Sequence, residues 1–507
     1  MDRIAVIDMG SNSWRLVVFG YELGTSWWSL TDEIREAVRV AAGMGEERTL
    51  KPEPLDRAIH TAAVFASFCE ASGIEAVEPV ATSAIREAEN RDELLDAIRD
   101  RTGLEVRVLG KEEEARLGYI AIANSTTLDD GFGIDLGGGS VEVVRLEGRE
   151  LAEADSLPLG SVRVSEKYLP DEKASGKAQK ALRAHATEVL EELGWWGDEG
   201  RLVGIGGTIR NLAAAAGKRM DLPDLDVQGF RLTRDALGDL IEELASKPAS
   251  KRGGVPGIKP DRGDVILGGA LVLDAAMEVG GFDELEVSEA GLREGIFFER
   301  LLDDKPEPLF DDVRTESVRN LAHRFRGDEE HVEHVAKLSL AMFDMAGEAD
   351  LHPYGREERE LLWAACMLHD IGTAIDYDDH HHHSHYLILN AGLPGFTPRE
   401  LVLVGLIARY HRKGDPDASE LGDLARGDDE ERLALLCGLI RLAEQLERSR
   451  DQAIASVEVT LEGDEVAIET SANGTGADTS VAIWSARRSA DLLAEAVRRP
   501  VEVREPD

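Results

Sequence analysis

The chain reads as an α/β protein built on a duplicated lobe, continued by an all-α domain and closed by a small α+β appendage. Three observations say so. Short β-branched runs alternate with helical segments up to about residue 302, the pattern of a layered α/β fold. Within that stretch Ile7-Asp8-Met9-Gly10-Ser11-Asn12-Ser13, followed by Leu16-Val17-Val18, returns as Ile134-Asp135-Leu136-Gly137-Gly138-Gly139-Ser140, followed by Val143-Val144. Beyond Asp311 apolar residues recur at three-four spacing instead, and after Ser456 the period shortens again.

In the first lobe Ile4–Asp8 and Trp14–Tyr21 are predicted strands around a Gly-Ser-Asn-Ser turn. Leu55–Ala71 is an amphipathic helix, Ala76–Ala81 a strand and Arg91–Arg101 a helix; the strand Glu105–Leu109 then feeds a helix that begins near Glu112. The repeat of the opening pattern sets a similar lobe opposite the first across a cleft, so lobe I spans 1–125 and lobe II 126–302. Acidic, proline-bearing Asp303–Asp312 is a linker. His331–Ala346, Arg356–His369, Arg399–Tyr410 and Glu430–Arg448 are predicted helices of a domain over 311–450. In the closing segment, 451–507, Ser456–Leu461 and Glu465–Thr470 form a hairpin and Ala486–Arg498 a helix.

With 507 residues the chain is too long for one core. It carries 99 Asp and Glu against 57 Lys and Arg, a formal charge of −42. Such an excess repels DNA, RNA and anionic membranes, so neither nucleic acid nor membrane is an expected partner. The acidic residues recur on every predicted helix face and arginine outnumbers lysine, which suits a protein of concentrated salt and points to a halophilic host. Cys69, Cys366 and Cys437 are too widely spaced for a disulfide framework or a thiolate zinc site. The opening MDRIAVIDMG starts a strand at once and is no signal peptide, and no apolar run reaches the ~20 residues that span a bilayer. A cytoplasmic location is expected.

Glycine-rich turns let backbone N–H groups approach an anion closely. Gly10, Ser11, Asn12 and Ser13 form one such turn, and Gly137, Gly138, Gly139 and Ser140 a second. A third, Gly206-Gly207-Thr208, follows the strand Leu202-Val203 and precedes a helix from about Ile209, whose N-terminus favours anions. None is a Walker loop, because no Gly-Lys-Ser/Thr follows. Asp8 and Asp135 close their strands, where they could hold hydrated magnesium against phosphate. Glu142 lies on the same side of its strand as Ser140. Glu112, Glu113 and Glu114 open a helix, as charge compensation or as catalytic groups. Arg86 fits either a phosphate clamp or a surface ion pair with Glu87 or Glu89, and composition alone favours the ion pair.

Those loops, with Thr82-Ser83-Ala84-Ile85-Arg86, Glu112-Glu113-Glu114-Ala115-Arg116, Asp135 through Glu142, Gly204 through Arg210 and Ser288-Glu289-Ala290-Gly291-Leu292-Arg293-Glu294-Gly295, occur in a specific order and spacing. They resemble the exopolyphosphatase/guanosine pentaphosphate phosphohydrolase family over nearly the whole chain. The resemblance implies an actin-like, ribonuclease-H-like pair of lobes with the active site in the cleft. It implies Glu114 as catalytic base (Glu113 as the fallback), Glu142 as the second catalytic glutamate and Arg86 as the grip on the transferred phosphoryl, against the composition-only reading. Asp135 is implied as the magnesium ligand, with Asp8 beside it. Manganese in place of magnesium and a monovalent cation such as potassium are also expected.

The implied reaction is in-line attack of water on the terminal phosphoryl of inorganic polyphosphate. Guanosine pentaphosphate is the alternative substrate; a polyphosphate or nucleotide sensor without catalysis is the alternative of another class, and it would be expected to lose Glu114 or Glu142. Lys251, Arg252, Lys259 and Arg262, and Arg409, Arg412 and Lys413 around His411, are candidate local cations for the polyanion. In the helical half His334, His369-Asp370 and Glu444 follow the order of a histidine-aspartate (HD) phosphohydrolase domain, with Glu444 where that domain has Asp. A substrate-guiding role is preferred there over a second active site, although a nucleotidase working from this domain alone is a further alternative. His380 to His385 read as a loop apt to scavenge transition metals. A homodimer is expected.

Overall fold

Ile4-Ala5-Val6-Ile7 is apolar at every position and is stable as a strand only with both faces covered. In the computed structural model, which describes residues 1–45, 47–197, 199–325 and 327–506, all four are buried. The chain divides into two compact units, Met1–Met220 with Val227–Val313 and Asp221–Asp226 with Arg314–Asp507.

The first unit holds two sheets. Strands β1 (Asp2–Met9), β2 (Trp14–Tyr21), β3 (Trp28–Glu36), β4 (Ala76–Ala81) and β5 (Arg107–Val108) pair in the order β3-β2-β1-β4-β5. Strands β6 (Gly131–Leu136), β7 (Val141–Glu147), β8 (Glu150–Leu157), β9 (Arg201–Ile205), β10 (Arg231–Thr233) and β11 (Glu284–Val287) pair as β10-β11-β9-β6-β7-β8. Each sheet begins as an antiparallel meander and adds a parallel strand on the far side of its first strand. The repeat read in the sequence is thus a repeat of topology. Its register sets Asp8 opposite Arg15 and Asp135 opposite Glu142.

The helix Pro52–Ala71 covers one face of the first sheet with Ala58, Ala62 and Phe65. On the other face Ile4, Val6, Val17 and Phe19 share an apolar cluster with Val144, Leu146, Val203 and Ile205 of the second sheet. The helix Lys111–Ala123 packs on the second sheet and supplies Leu117, Ile120 and Ile122 to that cluster. Against it packs the helix Leu292–Leu301, whose Gly295 faces the Leu117 carbonyl so closely that a Cβ would lie 2.1 Å from the oxygen.

Several boundaries differ from expectation. Strand β5 keeps only Arg107 and Val108 of Glu105–Leu109, pairing with Val80 and Ala81. The helix expected near Ile209 begins at Gly207. Asp303–Asp312 is irregular but fastened: Asn124 donates to the Pro308 carbonyl over 2.8 Å and accepts from the Phe310 amide over 2.7 Å.

The second unit is helical over Val313–Arg324, Glu329–Glu348, Arg356–Leu368, His380–Ala391, Pro398–Tyr410 and Asp429–Leu446. The histidine-rich segment is therefore a helix rather than a loop. The sheet β12 (Ile454–Glu462), β13 (Glu465–Ala472) and β14 (Val501–Arg504) follows in that order, β14 parallel to β13. The expected helix Ala486–Arg498 is two, Ser480–Arg487 and Asp491–Val497, each turning its own apolar pair (Ile483 and Ala486, Leu493 and Val497) onto the unit's core. Among the described residues no helix is long and apolar enough to cross a membrane.

Candidate functional site

The ends of β1 and β6 open on one cavity in the first unit. Gly10 to Ser13 line it from one sheet, and Gly137, Gly138 and Ser140 from the other. The two loops touch: a Cβ on Gly138 would stand 3.4 Å from Ser11 Cβ and 3.8 Å from the Asn12 amide nitrogen. Ser11 and Ser83 hydroxyls are hydrogen-bonded at 3.1 Å. Gly206 and Gly207 complete the lining at a helix N-terminus. Gly206 has φ +98°, a conformation glycine adopts freely, and a Cβ there would fall 2.6 Å from Asp135 Oδ1. Two predicted loop residues do not face the cavity. Gly139 is packed against Ser83 and Ser11, and the Thr208 methyl turns to Gly269 in the lobe's interior.

Four carboxylates share this space: Asp8, Glu114, Asp135 and Glu142. Burial pushes Asp8 up, held back by Arg293 and Arg15. Burial lifts Asp135 to about 6 against the pull of Arg210, with Asp8 adding to the rise. Glu142 is raised well above its ordinary value by burial and by Glu114 and Asp135, although Ser156 donates a 2.9 Å hydrogen bond to it. Glu114 stands at about 7, raised by burial and by Asp135 and Asp8, and lowered by Arg86.

Arg86 lies in the short helix Ser83–Glu87, not on the surface. Its Nη1 donates to Glu114 Oε2 at 2.5 Å and to the Leu109 carbonyl at 3.0 Å. Its Nε and Nη2 are buried without a partner among the described residues. Glu87 is taken instead by Arg163, at 2.8 Å. Glu113 is turned away: its carboxylate accepts from the Gly110 amide at 3.3 Å and pairs with Arg107 at 3.2 Å.

Facing the acids is an arc of cations. Arg15, Arg210, Arg262 and Arg293 line the cavity. Their crowding is visible in proton affinity: Arg15 falls to about 10 through burial and the charges of Arg293 and Arg210. Lys259 is lowered by burial and by Arg15, Arg35 and Arg210. Lys259 and Arg262 were expected as local cations. Arg252 is not one, because its guanidinium is buried and donates to the Leu244 carbonyl over 2.9 Å. Sequence reasoning missed Arg15, Arg210 and Arg293. A signal existed for each, since Arg15 follows the first loop and the other two stand inside the quoted motifs.

Oxygen donors and carboxylates suit magnesium, which keeps several waters and takes one or two carboxylates plus phosphate oxygens. The acids here meet that description: burial drives their protons on, and a cation would relieve it. Among the described residues the close three-ligand groups lie elsewhere, in the second unit.

There the expected His334 is not with its partners. It bonds the Ile454 carbonyl at 2.8 Å, and His331, one turn earlier, meets Glu444 at 3.0 Å. The register is one helical turn off because both histidines sit on the same buried face of Glu329–Glu348. Of the three expected second-half cations Arg409 pairs with Glu420 at 3.2 Å and Lys413 with Asp379 at 3.0 Å, while the Arg412 guanidinium lies over the Tyr377 ring.

Residues 25–304 match the Ppx/GppA phosphatase family, and 313–478 match domain III of that family. A solved Ppx/GppA family member of Aquifex aeolicus is 28% identical, with TM-score 0.52, over 60% of this chain and 99% of that one. Another Aquifex aeolicus structure, named a PPX-GPPA enzyme, is 29% identical with TM-score 0.51 over 58% and 98%. An exopolyphosphatase of Cytophaga hutchinsonii shares the fold at 21% identity, with TM-score 0.55 over 61% and 100%. The family's two models match residues 25–304 and 313–478, more than half of the chain, and this protein therefore belongs to the Ppx/GppA phosphatase family.

Proposed function

We propose that the protein is an exopolyphosphatase that releases terminal orthophosphate from inorganic polyphosphate. The observation that carries this is Glu114, a buried carboxyl at about 7 held against Arg86 inside the double glycine-loop cradle. A general base works best with a pKa near the operating pH, and Glu114 meets that condition at neutrality.

In this reading the loops Gly10–Ser13 and Gly137–Ser140 bind the terminal phosphate through backbone N–H groups, with Gly206 and Gly207 closing the cradle. Arg86 spends one nitrogen on Glu114 and offers its two unpaired nitrogens, Nε and Nη2, to the phosphoryl oxygens. Glu114 takes the proton from water aligned with the scissile anhydride, and Glu142 orients that water. Asp8 and Asp135 would hold magnesium or manganese, which supplies charge neutralisation on the phosphoryl oxygens. Arg15, Arg210, Arg262, Arg293 and Lys259 give the polyanion a local positive path in a chain of charge −42.

The same proposal takes the duplicated sheets as actin-like lobes, 311–450 as an HD-like domain that guides substrate with 451–507 appended, and the working form as a cytoplasmic homodimer in potassium-rich salt. Phosphate release with magnesium in high potassium chloride, from long-chain polyphosphate and from guanosine pentaphosphate side by side, tests it. Release from polyphosphate is expected. Release from the nucleotide alone reassigns the substrate, and silence on both turns the protein into a sensor.

A further inference from the structure

The carbonyls of the second glycine loop are all taken from one side. The Gly137 carbonyl accepts from the Ser161 amide at 3.0 Å and the Gly138 carbonyl from the Val162 amide at 2.9 Å, both at the start of the helix Ser161–Tyr168. The Gly139 carbonyl has no amide partner among the described residues and accepts instead from Arg163 Nε at 2.7 Å. A carbonyl and the N–H that follows it point in opposite directions across a trans peptide. The amides of Gly138, Gly139 and Ser140 are therefore turned away from that helix, and no backbone carbonyl among the described residues accepts from them. Gly138 and Ser140 line the cavity.

Arg163 is outside that lining. Its Nη2 lies 2.8 Å from both carboxylate oxygens of Glu87. Glu87 closes the helix Ser83–Glu87, one residue after Arg86, which holds Glu114. That helix follows β4 of the first sheet, whereas the helix of Arg163 follows β8 of the second. One guanidinium thus ties a phosphate loop of one sheet to the arginine supplied by the other. The packing leaves no slack: a Cβ on Gly160 would fall 2.3 Å from the Gly139 carbonyl carbon and 2.4 Å from the Ser140 nitrogen. An exposed ion pair alone contributes little, but the planar fork of arginine serves a carbonyl and a carboxylate at once, and a lysine ammonium has no such fork.

We propose that Arg163 is a positioning residue for the hydrolytic site. Its Nε fixes the Gly139–Ser140 peptide with the Ser140 amide toward the phosphoryl oxygens. Its Nη2, through Glu87, sets that amide in register with Arg86. The first glycine loop has no such side chain: its Ser11 and Asn12 carbonyls accept from the Ala41 and Arg39 amides, at 3.3 and 2.8 Å. The Gly139 carbonyl is accordingly the one place in this pattern where a substitution can release a loop peptide without altering the loop.

The test is orthophosphate binding by the full chain, measured by calorimetry beside steady-state hydrolysis of polyphosphate. Removing an oxyanion donor costs about 10²–10³-fold in kcat, and here a donor is loosened, so Arg163→Lys should lose on the order of 10-fold in kcat. Its orthophosphate affinity should fall by a similar factor, with the parent's melting temperature. Glu87→Gln should lose less, and the double variant should be no weaker than Arg163→Lys, because both substitutions cut one tie. In Arg163→Ala, guanidinium at a non-denaturing concentration should restore binding where sodium does not; Arg163→Lys carries the test if that variant does not fold. Unchanged affinity and kcat in Arg163→Lys, additive losses in the double variant, or losses that follow a falling melting temperature overturn the proposal. This role presupposes the phosphate cradle proposed above, so a parent chain that fails to bind orthophosphate overturns both. A parent that binds orthophosphate without hydrolysing polyphosphate, and binds it less tightly as Arg163→Lys, removes the hydrolase and keeps the tie.

Discussion

Arg86 Nη1 donates at once to the carboxylate of Glu114 and to the carbonyl of Leu109, and leaves Nε and Nη2 facing no partner among the described residues. One guanidinium therefore restrains the carboxyl's proton affinity and keeps two donors in reserve. That dual position generates tests that separate its two duties.

Glu114→Gln should lower turnover of polyphosphate by about 10²–10⁴-fold, the contribution of a general base, while binding persists. Single-turnover phosphate release beside equilibrium binding of labelled polyphosphate measures both. Near-normal turnover would remove Glu114 from the role of base.

Activity should rise with pH through about 7 as the Glu114 carboxyl ionises. Arg86 lowers that value, so Arg86→Gln should shift the acid limb of the kcat/KM profile to higher pH in addition to slowing turnover. A slowed variant with an unmoved limb would mean that the arginine touches substrate alone.

The same carboxyl weakens the fold at neutral pH. Its folded value of about 7 lies above the ordinary 4.5, so between those values the native chain holds a proton that the unfolded chain has lost. Stability from this group is full below the unfolded value and is lost as pH rises through about 7. Glu114→Gln cannot ionise, and its stability relative to the parent should improve from pH 5 to pH 8 by on the order of 3 kcal/mol. Chemical denaturation at the two pH values checks this, and a constant gap refutes it.

A formal charge of −42 predicts salt dependence. The Debye length falls from about 10 Å at 0.1 M to about 3 Å at 1 M, so repulsion among surface carboxylates fades across that range. The melting temperature should climb steeply between those salt concentrations. A flat response would mark an ordinary acidic protein instead of a halophilic one.

The site was legible where chemistry and backbone coincide. Asp8 and Asp135 announce themselves because each ends an apolar strand before a glycine turn, and the topology of the two sheets repeats as their sequences do. What escaped was whatever the tertiary fold decides. Whether Glu113 or Glu114 faces inward depends on which one the Gly110 amide and Arg107 capture. Thr208 looks like a phosphate ligand beside Gly206, but the helix turns its methyl against Gly269. His331 and His334 are one turn apart on a single buried face, and spacing cannot say which meets Glu444. Strand β8, Glu150–Leu157, is mostly polar outward and shows little of its pairing in composition.

The helix that carries Glu114 packs on the second sheet and against the helix Leu292–Leu301, which in turn meets the first sheet, and it fills that seam with Leu117, Ile120 and Ile122. Burial is the largest cause of its carboxyl's raised proton affinity, and that burial exists only while the seam is shut. Any parting of the sheets that admits water to the carboxyl turns it back into an ordinary acid. The strength of the base is thus a gauge of closure: the residue becomes able to accept a proton near neutrality only when the walls around it have come together.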